Sequence, residues 1–370
     1  MRYFIAQQFD VPGRLVSVKE HGDGNVNDTY IVVFRTTFSE ERFILQRISS
    51  AVFAEPMHIL HNMKLLTEHA HIKLEAEAAA DTADRIWQLP KLIPTKSGDN
   101  FVIDDNGNYW RAISLIASAS SYEMVQNIEH AYEVGTVLGK FHETINDLPI
   151  EQLKDPLPGF HETPNYLAEY DDVCLNKTTK RLLSFTKNAD NCHRFIRQRR
   201  SIVSLLEDAK KAGKLTLKPI HGDPKISNIM IDDDTGKGTC MIDLDTVKPG
   251  LVHYDFGDCM RSCCNPEGEE TDDISKVIFD TDLCHAIAKG YMTFGRKFLT
   301  EADKDYLYDS IRLITFELGL RFFTDYLQGD KYFKTRYDGN NLQRARVQFK
   351  LVESIETRED IIRKILERYR

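Results

Sequence analysis

The sequence predicts an α+β protein with two lobes, a β-rich N-terminal lobe over residues 1–117 and a mostly helical C-terminal lobe over residues 118–370. Short segments rich in β-branched residues, separated by turns that contain Gly and Asn, fill most of the first part and are typical of strands. After about residue 128, apolar residues recur mainly at helical spacing. A chain of 370 residues is also long enough for two lobes that each have a hydrophobic core.

Composition narrows the classes of protein to consider. Hydrophobic residues make up 42% of the chain and charged residues 28%, which is ordinary for a soluble globular protein. The 57 acidic residues outnumber the 48 basic ones, which argues against nucleic acid as a partner because nucleic-acid binders normally carry a basic surface. No apolar run approaches the roughly 18 residues of a membrane span, and the start lacks the apolar core of a signal peptide. These two absences predict no membrane partner. Seven cysteines, an odd number that does not suggest a disulfide framework, favour a reduced, cytoplasmic protein.

The N-terminal lobe begins with three predicted strands, at residues 15–18, 29–35 and 42–48. The turn between the first two contains two glycines and two asparagines, namely Gly22, Gly24, Asn25 and Asn27. Backbone N–H groups of such a turn can donate to phosphate oxygens, and glycine lets a phosphate come close. An ordinary hairpin turn has the same composition, so the turn alone does not decide between the two.

The remaining elements follow from apolar spacing and from turn residues. Two helices are predicted at about residues 56–70 and 72–81, and strands at 89–93, 100–103 and 109–116. Small polar residues after the last strand mark the expected hinge between the lobes. Later helices are predicted at 128–144, 186–211, 282–298, 300–326 and 340–354, with a last helix from about residue 358 and Thr357 as its N-cap.

One predicted hairpin carries the residues that suggest chemistry. Its strands lie at 217–220, 229–231 and 240–242, so Asp223, Asn228 and Asp243 are expected close together at its mouth. Phosphoryl transfer from a nucleotide needs a carboxylate near the attacking hydroxyl, and an amide oxygen and a second carboxylate that hold Mg²⁺. Kinases separate the first Asp from the Asn by four residues, as here, and supply the metal-binding Asp later. Asp223 could instead cap a turn and Asp243 end a strand, but the complete pattern favours a kinase.

The run from His221 to Asn228, with Ile-Asp-Leu-Asp at 242–245, resembles the aminoglycoside phosphotransferase and choline kinase superfamily of small-molecule kinases. Further stretches resemble its N-acetylhexosamine 1-kinase branch, and they lie at residues 43–48, 158–164, 243–250, 255–262 and 317–327. The resemblance extends over most of the chain. It implies a protein-kinase-like fold, ATP and Mg²⁺ as cofactors, and transfer to the anomeric hydroxyl of N-acetylglucosamine or N-acetylgalactosamine.

The resemblance also implies roles for individual residues. Asp223 is expected to be the catalytic base, and Asn228 and Asp243 the Mg²⁺ ligands. Nucleotide contacts are expected from the turn and from hinge backbone, at Gly24, Asn25, Asn27, Thr29, Leu115, Ile116 and Ala117. Acceptor contacts are expected from Asp223, Arg321, Asp255 and Phe160, although Asp255 suits mainly a hydrogen bond to the catalytic loop, and Arg321 could instead pair with Asp325 or Glu317.

The third strand departs from the kinase pattern, in which a Lys holds the nucleotide phosphates. This strand offers Gln46 and Arg47, which alternation places on opposite faces. Because Arg can hold phosphate bidentately, we predict that Arg47 takes this role. Glu68, or else Glu55, is the candidate to orient it from the following helix, although either residue also suits a solvated helix surface.

We therefore predict an ATP- and Mg²⁺-dependent kinase of N-acetylhexosamines, with a sugar as its partner, working as a monomer or simple homo-oligomer. A kinase of another small alcohol or amino alcohol, such as a choline- or aminoglycoside-type acceptor, stays open. A nucleotide-binding pseudokinase also stays open, because the strand lysine is missing. Asp245 could contact a second metal ion or only hold the loop.

Overall fold

The computed structural model describes residues 1–22, 26–79, 85–176, 181 and 186–370. Its N-terminal part has a short helix, α1 (Arg2–Ala6), and a long one, α2 (Pro56–Ala79). Its strands are β1 (Arg14–Glu20), β2 (Asp28–Arg35), β3 (Glu40–Arg47), β4 (Leu92–Ile93), β5 (Val102–Ile103) and β6 (Tyr109–Ser114). They form one antiparallel sheet in the order β1-β2-β3-β6-β4, and β5 also pairs with β6.

The two faces of this sheet differ in polarity, because successive side chains on a strand point to opposite sides. On β3, Phe43 and Leu45 are buried in an apolar cluster that includes residues of α1. The next side chain, Gln46, points to the other face, together with its cross-strand partner Arg111 on β6. That second face is turned toward the C-terminal part, where Arg111 contacts Asp245.

Helix α2 is continuous, in place of the two helices predicted over 56–70 and 72–81. Its sequence from Met57 to Ala79 contains no glycine or proline, so nothing interrupts the backbone hydrogen bonds of the helix. Glu55 and Glu68, the candidates to orient a phosphate-binding side chain, are both exposed.

A polar side chain of α2 that is fully buried is Asn62. Its Nδ2 donates to the carbonyl oxygens of Lys154 and Val247, each at 2.8 Å, and its Oδ1 accepts from the Lys154 N–H at 2.8 Å. Asn62 therefore binds helix α2 to the C-terminal part at a position two residues beyond Asp245.

The C-terminal part is mostly helical. Its larger helices are α3 (Ile128–Ile145), α4 (Thr163–Asn176), α5 (Lys187–Arg199), α6 (Leu205–Lys211), α7 (Val252–Cys263), α8 (Thr281–Gly295), α9 (Glu301–Asp305), α10 (Leu307–Gln328), α11 (Asn340–Thr357) and α12 (Glu359–Glu367). Its strands are β7 (Ala119–Ser120), β8 (Lys218–Ile220), β9 (Ile229–Asp232), β10 (Gly238–Met241) and β11 (Lys248–Gly250). Strand β9 lies between β10 and β7, and β8 pairs with β11.

Several helix boundaries of the C-terminal part differ from the predictions, and three of the differences are substantial. The segment predicted as one helix over 186–211 is divided into α5 and α6, and that over 300–326 into α9 and α10. Thr357 does not cap the last helix, since it ends α11 and its hydroxyl donates backward to the Ser354 carbonyl at 3.0 Å. Arg358 occupies the N-cap position instead.

Helix α7 was not predicted. Nearly all of its side chains are buried, and they include the polar residues Asp255, Asp258 and Arg261, so its polar positions do not mark a solvent-facing side. It packs against α10 so closely that a Cβ on Gly257 would lie 2.5 Å from the Ser310 carbonyl oxygen. Its Asp255 accepts the backbone N–H groups of residues 221 and 222, which places α7 directly behind the loop that presents Asp223.

The predicted α+β class, with a sheet-rich N-terminal part and a helical C-terminal part, is confirmed. The boundary predicted after residue 117 falls between β6 of the first sheet and β7, which pairs with β9 of the hairpin. Within the described residues, no helix combines the length and the apolar character needed to cross a bilayer.

Candidate active site

A sharp turn after β8 presents Asp223. Gly222 has a φ of 87°, and a Cβ there would lie 2.6 Å from the Thr246 carbonyl oxygen, so both conformation and space require glycine. The Asp223 side chain is 30% exposed, and its Oδ2 accepts from Lys225 Nζ at 2.7 Å. The Asp223 carboxylate in turn raises the pKa of the Lys225 ammonium. The partly exposed carboxylate of Asp223 and the protonated ammonium of Lys225 thus lie side by side.

Asn228 is oriented by the same loop. Its Nδ2 donates to the Asp223 carbonyl at 2.8 Å and lies 3.3 Å from Asp223 Oδ2. The amide oxygen is therefore the part of the side chain left for a ligand. A main-chain bond from Ile242 N to Asn228 O, 2.9 Å long, sets the residue beside the start of the Asp243 loop.

Asp243 has an exposed side chain and directly follows the hairpin. It adopts a left-handed conformation, φ 64° and ψ 59°, which is costly for a non-glycine residue and occurs preferentially at functional sites. Within the described ranges, its carboxylate accepts no hydrogen bond and forms no ion pair. Crowding by surrounding protein, followed by the nearby Asp245 carboxylate, raises its pKa.

These two oxygen donors fit a magnesium ion. Mg²⁺ is usually held by one or two protein oxygens, with phosphates and water completing its shell. Asn228 and Asp243 supply that number, and the Asp243 carboxylate is exposed and accepts no hydrogen bond within the described ranges. The described residues contain no group of three or more His, Cys, Asp or Glu side chains suited to a closed protein metal site.

Asp245 lies two residues from Asp243 but differs from it in both burial and hydrogen bonding. Its side chain is 4% exposed, Oδ2 accepts from Asn27 Nδ2 at 2.6 Å, and Oδ1 is ion-paired with Arg111. Both oxygens are therefore occupied by the N-terminal part. Of the two roles left open for Asp245, this geometry favours holding the loop over binding a second metal ion.

The face of β3 directed at the hairpin carries Gln46, while Arg47 is on the other face. Gln46 Oε1 accepts from Arg111 at 2.7 and 3.0 Å, and its Nε2 donates to Thr29 at 3.2 Å. Arg47 is 42% exposed and its guanidinium is bound by Asp28, with the Nε–Oδ2 distance at 2.7 Å. The structure disfavours the prediction that Arg47, and not Gln46, holds the nucleotide phosphates, because strand alternation points Arg47 away from Asp245 and Asp243.

Arg111 is the cation that the sequence reasoning missed. It is 1% exposed, and its Nη1 has no hydrogen-bond partner in the described part of the chain. A charged residue inside the apolar strand 109–116 was the available signal, because a buried charge needs a partner. The sequence could not show that the partners are Gln46 and Asp245.

The other predicted nucleotide contacts are placed as follows. Asn27 and Thr29 belong to the network around Asp245 and Gln46, whereas Gly24 and Asn25 lie outside the described residues. Leu115, Ile116 and Ala117 follow β6 in an irregular segment, and no backbone hydrogen bond ties this segment to the described chain. Their role toward a nucleotide base stays a prediction.

Asp255 supports the catalytic loop from below. It is fully buried, Oδ2 accepts from the His221 N–H at 2.7 Å and from His142 Nε2 at 2.8 Å, and Oδ1 accepts from the Gly222 N–H at 2.8 Å. Burial opposes ionisation, but the His142 bond and the loop N–H groups outweigh it and lower the pKa of Asp255. A substrate contact by Asp255 is excluded in this arrangement, because both oxygens are occupied and no solvent reaches them.

The opposite side of the cleft holds Arg321 among aromatic rings. Its guanidinium carbon lies 4.9 to 5.8 Å from the ring centres of Tyr166, Phe160, Phe333 and Tyr332. The alternative of an ion pair is not observed, since Glu317 bonds His161 and Thr163, and Asp325 accepts the backbone N–H groups of residues 331–333. Over the described residues, Arg321 has no hydrogen-bonding or ion-pair partner.

Asp258 on α7 is a third charged side chain near Asp223 and Arg321. It is 6% exposed, and its Oδ1 accepts from Arg261 at 2.8 and 2.9 Å. Its Oδ2 is buried without a partner among the described residues, and burial together with the Asp223 charge raises its pKa. Asp223, Arg321 and Asp258 thus place charges of both signs in one region.

The chain is similar to known proteins both in sequence and in fold. The model of the Phosphotransferase enzyme family matches residues 17–276. Among solved structures, an aminoglycoside phosphotransferase from Alicyclobacillus acidocaldarius is 16% identical, with a TM-score of 0.62, covering 99% of this chain and 96% of that one. A choline kinase from Cryptosporidium parvum is 11% identical, with a TM-score of 0.58 and coverages of 95% and 91%. A microcompartment-associated aminopropanol kinase is 16% identical, with a TM-score of 0.55 and coverages of 98%. At these identities the structures show a shared fold.

Proposed function

The chain belongs to the Phosphotransferase enzyme family, and from this premise we propose that it transfers the terminal phosphoryl group of ATP to the anomeric hydroxyl of an N-acetylhexosamine. The observation that carries the proposal is the open catalytic hairpin, where Asp223, Asn228 and Asp243 converge and Asp243 has no partner in the described chain. A hydroxyl acceptor and a phosphoryl donor are what this donor set serves.

The hairpin assigns each residue a task. Asp223 accepts the hydrogen bond of the attacking hydroxyl and takes its proton as the new oxygen–phosphorus bond forms. The bond between the γ-phosphorus and the bridging oxygen breaks, and ADP leaves. Lys225 holds its proton beside Asp223 and supplies positive charge near the transferred group. Mg²⁺, when bound, neutralises phosphate charge, and Asn228 and Asp243 would hold it. Asp255 keeps the His221–Gly222 backbone fixed, so Asp223 stays in place.

The acceptor side supports a neutral sugar. Arg321 is a cation without an anionic partner in the described chain, and it already lies over Phe160 and Tyr166. Rings used in this way do not form a free aromatic cage for a cationic acceptor, and a second cation nearby would be repelled. A sugar offers hydroxyl and amide oxygens that Arg321 can hydrogen-bond, and a ring face that Phe160 can contact.

A panel of acceptors tests the proposal. Free sugars, amino alcohols and aminoglycosides are each incubated with Mg²⁺ and ATP, and products are identified by phosphorus NMR. A sugar 1-phosphate from N-acetylhexosamines that disappears in Asp223→Asn is the expected result. The control is Asp234→Asn, an exposed turn carboxylate of the same hairpin, which should retain activity.

Two other outcomes would change the conclusion. Turnover with amines alone would keep the hairpin chemistry but replace the sugar acceptor, and it would point to the unpaired Asp258 oxygen as the cation site. Nucleotide binding without turnover of any acceptor would identify a pseudokinase and overturn the proposal.

A further inference from the structure

His161 is buried against the carbonyl group that precedes the catalytic aspartate. The ring is 4% exposed, and the residue has a positive φ of 67°, so the loop holds it in an unfavourable conformation. Its Nε2 lies 2.8 Å from the Gly222 carbonyl oxygen, and its Nδ1 lies 2.9 Å from Glu317 Oε1. Both ring nitrogens therefore have hydrogen-bond partners that are acceptors.

Counting protons identifies the state of the ring. A carbonyl oxygen can only accept, so Nε2 carries a proton. The Glu317 carboxylate also accepts, and its second oxygen already receives the Thr163 hydroxyl at 2.7 Å. With Glu317 ionised, Nδ1 carries a proton as well, because a carboxylate has no proton to donate. The ring is then an imidazolium paired with a buried carboxylate.

Resting on the proposed function, we propose that His161 is a positioning residue, held as a cation by Glu317, whose Nε2–H fixes the Gly222 carbonyl and so the Asp223 carboxylate. The Gly222 N–H is held from the other side by Asp255. Both polar groups of Gly222 are thus fastened to buried side chains, one from each flank of the loop. Loss of the His161 charge would remove the partner of Glu317 and loosen one of these two supports.

The charges around the ring favour the cation. Glu317 comes from α10, and α7 contributes Asp258 and the Tyr254 ring, stacked at 5.6 Å. Arg321, also on α10, opposes them, but its guanidinium lies over Phe160, the ring next to His161. Burial alone would lower the pKa of His161, yet the charge and hydrogen bond of Glu317 outweigh it, and the pKa is raised.

The sign of the pH effect follows from this direction. A histidine whose folded pKa is raised contributes stability that is present below the unfolded value, near 6.5, and is lost as pH rises through the folded value. The rate constant kcat should therefore show an alkaline limb, falling about tenfold per pH unit above the folded pKa. KM for the acceptor should change less, because His161 does not line the acceptor position itself.

Glu317→Gln separates this role from a purely structural one. Its amide can donate to Nδ1, so a neutral ring protonated only at Nε2 satisfies both partners. The alkaline limb of the kcat profile should then disappear in Glu317→Gln, while the wild-type enzyme retains it. Glu162→Gln is the matched control, since Glu162 is adjacent in sequence but 41% exposed, and it should keep the wild-type limb.

Nitrogen NMR of the ring is independent of turnover. With ¹⁵N-histidine, and with His161→Gln to assign the signal among the 12 histidines, both ring nitrogens should show protonated shifts at neutral pH. A neutral ring at pH 7, or the same limb in Glu317→Gln as in wild type, would overturn the inference. If no acceptor is phosphorylated at all, the proposed function fails, while the NMR result still decides the charge of His161.

Discussion

The two flanks of the catalytic hairpin use charge in opposite ways. On the flank facing the β-sheet, Asp245 has both oxygens bonded and is ion-paired with the buried Arg111. On the flank facing the helices, Arg321 has no polar partner in the described chain and Asp258 keeps one buried oxygen unpaired. The first flank joins the N-terminal and C-terminal parts of the molecule. The second flank has hydrogen-bonding groups that no described residue binds.

We call the paired residues that join the two parts of the molecule, such as Arg111 and Asp245, the frame. The residues to which the proposed function assigns ligand contacts are called the site. Buried polar groups in folded proteins are nearly always paired, so an unpaired group has either a missing ligand or a cost that function repays. Arg111 belongs mainly to the frame, although one of its nitrogens is also unpaired. Asp243 and Arg321 belong to the site. Substitutions on the two flanks should therefore separate into losses of stability and losses of activity.

The largest stability effect is expected at the sheet flank. Arg111→Met removes the charge partner of the buried Asp245 and should lower the free energy of unfolding by about 3–5 kcal/mol. Arg47→Met is the matched control, since the exposed Arg47–Asp28 pair should cost only about 0–1 kcal/mol. Denaturant unfolding measures both. Equal losses in the two variants would show that burial does not distinguish these ion pairs.

A smaller loss is expected beneath the loop. Asp255→Asn turns one acceptor of backbone N–H bonds into a donor and should cost about 2–3 kcal/mol at neutral pH. Because the folded pKa of Asp255 is lowered, its contribution is present above the unfolded value, near 3.9, and is lost as pH falls through the folded value. The difference between variant and wild type should shrink in acid. A difference that is constant with pH would contradict the ionised state.

The smallest change in stability is expected at the acceptor flank. Arg321→Gln should leave the melting temperature close to wild type but raise KM for the acceptor about tenfold, or roughly 1.4 kcal/mol. Arg344→Gln provides the contrast, since Arg344 also lies over a ring, Phe322, but is bound to Glu270 at 2.6 Å. That variant should lose stability with KM unchanged. The reverse pattern would place Arg321 in the frame.

Local pattern was enough to predict the fold class and the hairpin. Alternation located the strands, and the spacing of Asp223, Asn228 and Asp243 placed them in one loop system, because a hairpin returns the chain to its starting point. The wrong helix details have physical causes. Helix α7 buries polar side chains such as Asp255 and Arg261 together with its apolar ones, so its sequence shows no solvent-facing side. Helix α2 contains no glycine or proline after Pro56 that would divide it into two helices.

The sequence could not show which distant segments of the chain contact each other. Alternation showed that Gln46 and Arg47 face opposite ways, but not which face meets the hairpin. That depends on how the sheet packs against residues about 200 positions later, as the Arg111–Asp245 contact shows. Because arginine can bind phosphate bidentately, we predicted the phosphate contact at Arg47. Arg47 lies on the same face of β3 as Phe43 and Leu45, which pack in the apolar cluster, so its side chain points away from the hairpin.

The most direct measurement combines activity and stability in Asp243→Asn. Asparagine accepts the left-handed conformation more readily than most residues, so Asp243→Asn removes the carboxylate charge without adding backbone strain. The account predicts that phosphoryl transfer falls about 1,000-fold while the free energy of unfolding does not fall. Retained transfer, or a variant less stable than wild type, would contradict the division between site and frame.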